Sequence, residues 1–441
     1  MIDMIRRRAA IVLFLLLCSA GSLVSVWQVR HWGNALSLVD SYSEANVLRE
    51  VRNFLEQGLM QDWGLGNVYH PGMYPDDGFA AEPEERKFGV SPEGVYTHYP
   101  PGPEYLLYAS ARLLGPEPVY RLRFLPIAIG WASMVVFGLT IRRRFGSDVG
   151  WLVMGACAIT PTVTDGFAGL HAQGYAFALL LLEMSAAIAV RPRVFPFMVL
   201  GFLQGWLTFD YAFLVALTPL ALEVVLPRID PNYRPRWKLA LARAVLAGAG
   251  FAVAHVMHFL QVWAYWGTLD ATLRDFAGAA AHRAGSGLVG GPISYLMFVG
   301  GLLKLYFYGL HPLNLSLSLP DPGTPENWSM FRFLGLSLGP WWLLVTVELM
   351  VWDRIHPNPA NRAIRMNWHI VCLTGMMTSS VWLVIMLDHA GHHLHFLYRH
   401  LFFAFFVVVL FGAVTSCRAW AAAKSTEPRS RLLHRIMNAT P

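Results

Sequence analysis

The sequence contains few charged residues and few cysteines. Only 14% of its 441 residues are Asp, Glu, Lys or Arg, against about 25% in a typical soluble domain, which excludes a water-soluble enzyme and a disordered chain. Its four cysteines, Cys18, Cys157, Cys372 and Cys417, lie in or beside apolar runs, which excludes a disulfide-stapled fold. By contrast, 55% of the residues are hydrophobic, and they form long uncharged runs. We therefore predict an all-α polytopic membrane protein.

About ten of these runs are long enough to be predicted as membrane crossings. The first, residues 9–29, follows three arginines at 6–8 and is either a cleaved signal peptide or a retained anchor. Its length beyond a weak cleavage site favours the anchor. The other predicted crossings are 122–141, 149–163, 167–190, 194–209, 211–226, 239–266, 333–351, 368–387 and 396–416. The apolar segment 292–310 contains Lys304, and we predict that it is re-entrant or lies on the membrane surface.

Basic residues occur in every second loop, which is the pattern of cytoplasmic loops. The predicted inner loops and tail contain Arg142–Arg144, Arg191, Arg193, Arg228, Arg234, Arg236, Lys238, Arg354, Arg362, Arg365 and the arginines after 417, whereas the short outer loops around Thr164 and Asp210 have neither Arg nor Lys. This predicts that both termini are cytoplasmic, in a membrane that we expect to be the bacterial inner membrane. It also explains the net charge of +6 without a nucleic-acid partner.

Two long outer loops, 30–121 and 267–332, hold most of the mass outside the membrane. In the first, apolar residues at helical spacing predict an amphipathic helix over Ser43–Leu59, with Gly58 as its stop signal. Residues 67–94 are rich in Gly, Pro and acids and are predicted to be irregular. The prolines at 100–103 precede a second short helix, Glu104–Leu114. Polar residues within spans cluster toward the outer ends, which favours chemistry at the outer boundary over transport at mid-bilayer.

The order of motifs resembles the GT-C glycosyltransferases, in particular the protein O-mannosyltransferase and lipid A aminoarabinose transferase type. The resemblance rests on the helix from Ser43 to Gly58, the run Thr97-His98-Tyr99-Pro100-Pro101-Gly102-Pro103-Glu104-Tyr105-Leu106, the span entry Arg121 to Pro126, and the basic end at 142–146. It implies a GT-C-like module over 1–266, a second outer loop over 267–332 with surface or re-entrant helices, C-terminal spans over 333–417 and a cytoplasmic tail over 418–441.

The implied function is transfer of a sugar from a polyprenyl-phosphate donor to a lipid, glycan or protein acceptor on the non-cytoplasmic face, as in a mannosyltransferase-like enzyme of the cell envelope. In the family pattern the first loop helix opens with Asp-Glu-Ala, whereas this chain has Ser43-Glu44-Ala45. Serine is not a useful base. Either Glu44 or Asp40, one turn earlier, therefore serves as the catalytic carboxylate, or the activity has been altered or lost.

Three further candidates lie at the outer mouth between the third and fourth predicted crossings. In the family an acid often occupies the turn in which Asp165 lies, assisting the acceptor or a metal, although Asp also caps helices well. His171 and Gln173 follow one turn later. A hydrogen-bonded core histidine is the alternative for His171.

The donor phosphate requires positive charge, and arginine can grip phosphate with two parallel hydrogen bonds. Arg399 at the head of the last span is the preferred candidate, with Lys304 and Arg274 as further candidates; lipid anchoring is the alternative for all three. His98, Tyr99 and His395 are counted as substrate-binding. The histidines and Asp388 within 388–400 leave a divalent cation open, but no diagnostic metal spacing is present. A transporter or flippase of lipid-linked saccharide, and a non-catalytic assembly partner, remain the alternative functions.

Overall fold

The computed structural model describes residues 23, 41–68, 90–91, 93–158, 161–189, 193–284, 350–351, 354, 359–385 and 402–425. The described part is helical, with two isolated antiparallel bridges, Asn67 with Val95 and Val90 with Tyr96. The prediction of an all-α fold is confirmed for these residues. The helices are α1 (Ser41–Gln57), α2 (Gly102–Leu114), α3 (Phe124–Phe145), α4 (Ser147–Ala158), α5 (Pro161–Ala168), α6 (Ala172–Ile188), α7 (Phe195–Leu207), α8 (Ala212–Ile229), α9 (Trp237–Trp266), α10 (Leu269–Ala284), α11 (Pro359–Ile385) and α12 (Phe402–Ser425).

Apolar helices form the bundle. Among the described residues, three stretches are long and apolar enough to cross a membrane: Val119–Phe145, Ala212–Ile229 and Trp237–Trp266. Three shorter apolar helices cover Gly174–Ile188, Phe195–Leu207 and Phe402–Arg418. This agrees with an integral membrane protein, whereas the total of ten crossings stays a prediction, because the predicted spans 9–29 and 333–351 fall almost wholly outside the described residues. The predicted span 149–163 covers most of α4 and the start of α5, which begins at Pro161; residues 159 and 160 lie outside the described residues.

The core joins the last helix of the chain to helices from its first and middle thirds. α12 packs against α4, α8 and α11, and α3 packs against α6. The Phe177 ring of α6 stacks on Phe402 of α12 with centroids 3.9 Å apart, and Phe137 of α3 meets Phe406 edge-on at 5.6 Å. All four side chains are buried. The large aromatic rings therefore fix how the C-terminal helix meets the N-terminal helices.

Small residues bring α7 and α9 into backbone contact. Gly201 and Gly205 lie four residues apart on α7 and face Ala247 and Phe251 of α9. A Cβ added at Gly201 would collide with the Ala247 carbonyl oxygen, and one at Gly250 would collide with the Met198 carbonyl oxygen. This is the close packing by small residues that membrane helices use where lipid provides no hydrophobic drive.

The basic loops meet at one end of the bundle, which we call the basic end. The Arg144 guanidinium donates to Asp230 at 3.1 Å, the Arg243 Nε donates to the Arg193 carbonyl at 3.1 Å, and Arg418 donates to the Ile229 carbonyl. The alternation inferred from charge is therefore consistent with the folded chain. Which compartment this end faces stays a prediction.

The opposite end carries the first outer loop and is called the loop end. The helix expected over Ser43–Leu59 is α1, which stops as predicted before Gly58, whose φ is +100°. The helix expected over Glu104–Leu114 is α2, which begins at Gly102. Most of the irregular segment expected over 67–94 lies outside the described residues.

The sequence predicted that polar residues within spans cluster toward the outer ends. This prediction is wrong in part, because buried polar residues also lie near the basic end. Glu183 of α6 and Glu223 of α8 are both buried in the halves nearest the basic end. The Glu223 carboxylate accepts hydrogen bonds from the Tyr233 hydroxyl at 2.6 Å and from the Arg236 N–H at 2.7 Å. Glu223 therefore helps to tie the connection between α8 and α9 to the bundle.

Candidate functional site at the loop end

A fully buried ion pair joins the first loop helix to the bundle. Arg123, which precedes α3, donates to both Glu44 carboxylate oxygens at 2.8 and 2.7 Å, and both side chains are 0% exposed. The same carboxylate accepts the Leu170 N–H at 3.0 Å, and Arg123 also donates to the Ala168 carbonyl at 2.9 Å. Burial acts to raise the pKa of Glu44, but Arg123 outweighs it and holds the pKa below its ordinary value. Glu44 is therefore ionised, and its carboxylate is already hydrogen-bonded to Arg123 and to the Leu170 N–H.

Two more carboxyl groups are buried where α1 packs on α2. Glu50 and Glu104 are 3% and 8% exposed, and the Glu50 carboxylate lies directly against Gly66. Burial, and then repulsion from Glu104, raise the pKa of Glu50 well above its ordinary value. Burial raises the pKa of Glu104 to about 8. Two such groups cannot both ionise cheaply at close range, so the pair retains a proton near neutral pH.

His98 and Tyr99 belong to an aromatic cluster beside the connection between α7 and α8. The Tyr99 ring stacks on Phe209 with centroids 4.5 Å apart and planes 9° apart. His98 meets the Phe209 ring edge-on at 5.6 Å. The Tyr99 hydroxyl donates to the buried Asp210 carboxylate, 3.2 Å from its nearer oxygen. The extended segment before α2 is thereby fixed to the tops of two bundle helices.

Thr97 ties the same segment to α9 and α10. Its hydroxyl donates to Asp275 at 2.6 Å, and its carbonyl lies 3.0 Å from the Nε2 atom of the buried His258. Residues from the first loop, α9 and α10 therefore meet here. The first and second outer loops are close together in the part of the chain that the structure describes.

The structure brings five of the predicted site residues to the loop end: Glu44, His98, Tyr99, His171 and Arg274. His171 is buried and interacts electrostatically with Glu44. Arg274 is on α10, 77% exposed and paired with Asp270. Asp165 lies in α5 and Gln173 in α6, but their side chains are outside what the structure describes. Asp40, Lys304, His395 and Arg399 fall outside the described residues, as do segments 292–310 and 388–400.

Sequence analysis overlooked Glu50 and Glu104. Glu50 is one of several charges between the apolar residues of α1, a pattern that indicates a solvated face, and Glu104 resembles an ordinary acid in the first turn of a helix. Only the folded arrangement shows that both are buried. Among the described residues, no three His, Cys, Asp or Glu side chains are grouped as metal ligands, so the described part gives no support for the divalent cation, which remains open.

No protein-family model matches the chain, and no curated protein sequence matches it. Among solved structures, the chain is similar to an oligosaccharyltransferase from Archaeoglobus fulgidus, with a TM-score of 0.39 and 13% identity over 93% of this chain and 52% of that chain. It is also similar to ArnT from Cupriavidus metallidurans bound to undecaprenyl phosphate, with a TM-score of 0.38 and 14% identity over 92% of this chain and 78% of that chain.

This chain thus spans about half the length of the archaeal protein. Both TM-scores are below 0.5, and any specific activity therefore has to be argued from the residues of this chain.

Proposed function

We propose that this protein is a membrane glycosyltransferase of GT-C type that transfers a sugar from a polyprenyl-phosphate carrier to a lipid, glycan or protein acceptor on the non-cytoplasmic side. The observation that carries the proposal is the group of buried ionisable side chains at the loop end, opposite the basic end. The principal members are Glu44, Arg123, Glu50, Glu104 and Asp210.

Sugar transfer from a lipid phosphate needs a group that accepts the acceptor's hydroxyl proton as the new bond forms. A carboxyl whose pKa is near the working pH suits this role best. Glu104, with its pKa raised to about 8 and coupled to Glu50, meets this requirement, whereas Glu44 is held ionised by Arg123. We therefore assign proton transfer to the Glu50–Glu104 pair and retain Glu44 as a residue that positions the site.

The positioning role of Glu44 follows from its three hydrogen bonds. They fix α1 to the start of α3 and to the turn at 168–171, which follows the helix that carries Asp165. Loss of the Glu44–Arg123 ion pair is expected to displace His171 and the segment after Asp165 together. Because Arg123 is hydrogen-bonded to Glu44, we propose that the donor phosphate is bound by another cation. The candidates are Arg399, Lys304 and Arg274, as proposed from the sequence.

The test begins with the lipid that co-purifies with the protein, identified by mass spectrometry, followed by in vitro transfer from the corresponding polyprenyl-phosphate sugar. Glu104→Gln is expected to lower kcat by about 10²–10⁴-fold, the usual range for loss of an acid–base group. Glu56→Gln, at an exposed position on α1, is the matched control and should retain turnover. Wild-type turnover in both Glu104→Gln and Glu50→Gln would reject the assignment to the pair.

Glu183 gives a specific reason to retain transport as the second candidate. Glu183 lies on α6, and its side chain is buried. Its Oε1 atom has no hydrogen-bond partner among the described residues. An ionisable group within a span is a candidate for a transport path. Movement of a lipid-linked saccharide across proteoliposomes, lost in Glu183→Gln and unaffected by Glu104→Gln, would favour the transporter over the transferase.

A non-catalytic partner is the third alternative, suggested by Ser43 in place of the aspartate in the family pattern. It predicts that no carrier supports transfer in any variant, including Ser43→Asp.

A further inference from the structure

A hollow of about 480 Å³ opens at the loop end, lined by Met60, Asp62, Trp63 and Tyr265. We call it the Trp63 hollow. Its size falls within the range of roughly 300–1,000 Å³ that is typical of small-molecule sites. None of its lining residues was among the candidates drawn from the sequence, and none takes part in the proton transfer proposed above.

The wall of the hollow has an unusual backbone. Asp62 and Trp63 both have positive φ, +51° and +58°, a region that residues with side chains seldom occupy. The turn is held by three hydrogen bonds: Gln261 Nε2 to the Trp63 carbonyl at 3.2 Å, the Tyr105 hydroxyl to the Gly64 carbonyl at 2.7 Å, and the Leu65 N–H to the Asp62 carbonyl at 3.1 Å. The Trp63 side chain remains 58% exposed.

The polar side chains that line the hollow include the Asp62 carboxyl and the Tyr265 hydroxyl. The Tyr265 hydroxyl hydrogen-bonds Ser91 Oγ at 2.7 Å and Glu93 Oε2 at 3.0 Å, so its ring is held in place. Burial, and then the nearby Glu93, raise the pKa of Asp62. The Glu93 carboxylate, held by the Tyr265 hydroxyl, places negative charge at the edge of the hollow, and an anionic group such as the donor phosphate is repelled from it.

We infer that the Trp63 hollow binds a sugar ring of a neutral glycan acceptor. A pyranose presents one apolar face of C–H groups, which can pack on an aromatic ring, and a rim of hydroxyls, which donate to carboxylates. The exposed face of Trp63 supplies the first contact, and Asp62 supplies the second. A sugar ring matches both the aromatic and the acidic character of the hollow.

The position of the hollow links it to the proposed chemistry. The turn that forms its wall continues to Gly66, against which the Glu50 carboxylate lies, and Tyr105, which holds Gly64, follows Glu104 in the chain. The hollow and the carboxyl pair are therefore connected through one stretch of backbone, residues 62–66. The inference rests on the proposed function, since it narrows the acceptor from a lipid, glycan or protein to a glycan.

The test measures sugar binding without requiring transfer. The full chain is purified in a polyoxyethylene detergent, which contains no sugar, and saturation-transfer NMR is recorded with methyl α-D-mannopyranoside, maltose, cellobiose and lactose; choline is the cationic probe. We expect saturation of the ring protons of at least one sugar, its loss in Trp63→Ala, and at least a tenfold weaker affinity in Asp62→Asn. Trp237→Ala removes a 50% exposed tryptophan at the other end of the same bundle and should leave the signal unchanged.

Three results would overturn the inference: no signal from any of these sugars, an equal signal in Trp63→Ala, or binding of choline alone. A Trp63 that only anchors the protein at the lipid interface gives the first or second result. The result of the sugar-binding test can be distinguished from the result of the transfer assay that tests the proposed function. Sugar binding that requires Trp63 in a protein without transfer activity supports the hollow and rejects the transferase, and transfer without sugar binding does the reverse.

Discussion

The two ends of the bundle use their arginines differently. At the loop end, Arg123 and Glu44 are both 0% exposed and are 79 residues apart in the chain. At the basic end, Arg144 and Asp230 retain 16% and 20% exposure, and Arg243 and Arg418 donate to backbone carbonyls rather than to carboxylates. At the basic end, the Arg144–Asp230 pair remains in contact with water, and Arg243 and Arg418 satisfy backbone carbonyls, whereas the Arg123–Glu44 pair at the loop end is sealed from water.

This difference separates two uses of charge in a membrane protein. Partly exposed basic residues in short loops orient the chain at little structural cost, because they keep their hydration. A sealed ion pair depends on both partners, since removal of one leaves an uncompensated charge in a dry site. The loop end is consequently the region where single substitutions should have the largest effects.

Loss of Arg123 is expected to have the largest effect. Arg123→Ala leaves the Glu44 carboxylate buried without its partner and should lower the free energy of unfolding by about 3–5 kcal/mol, whereas Arg144→Ala should cost about 1 kcal/mol or less. Thermal melting in detergent measures both. The double variant Glu44→Leu with Arg123→Met removes both charges and should be less destabilised than Arg123→Ala. Equal losses at the two ends would contradict the comparison.

The second prediction concerns pH and the Glu50–Glu104 pair. The folded-state pKa of Glu104 is raised to about 8 from its ordinary value of 4.5, so the folded state holds a proton that the unfolded state has lost. This stabilisation is fully present below pH 4.5 and is lost as pH rises through about 8, with a slope of up to about 1.4 kcal/mol per pH unit in between.

Melting temperature should therefore fall from pH 5 to pH 8, and Glu104→Gln should flatten that dependence. Glu56→Gln on the exposed side of α1 is the control and should keep the wild-type slope. A melting temperature that rises over this interval in the wild type, with no change in Glu104→Gln, would show that the pair does not hold a proton.

The third prediction compares two glycines and has the smallest expected effect. A Cβ at Gly66 collides with the Glu50 carboxylate, so Gly66→Ala should cost about 1–3 kcal/mol by overpacking. A Cβ at Gly248, within α9, meets nothing within 4 Å, so Gly248→Ala should add about 0.5–1 kcal/mol of stability. Opposite signs in the two melting shifts are the expected result. A neutral Gly66→Ala would mean that Glu50 moves aside easily.

Local patterns in the sequence predicted the helices of the first loop well. The spacing of Ala45, Leu48, Val51 and Leu55 predicted α1, and Gly58 its end, because both depend on neighbours within one or two turns. The alternation of basic loops likewise matches the contacts at the basic end. The start of α5 at Pro161 was not predicted, since the apolar run continues through the proline.

The sequence by itself determined the membrane character, the two short helices of the first loop and the occurrence of basic residues in every second loop. These features follow from hydropathy, helix period and charge, which are properties of the chain. Only the tertiary structure decided that Glu44 is tied to Arg123, that Glu50 and Glu104 share a dry interface, and that Asp62 and Trp63 border a hollow. Those properties depend on which residues lie side by side after folding. The burial of a carboxylate, and hence its pKa, is set by neighbours that lie far away in the chain.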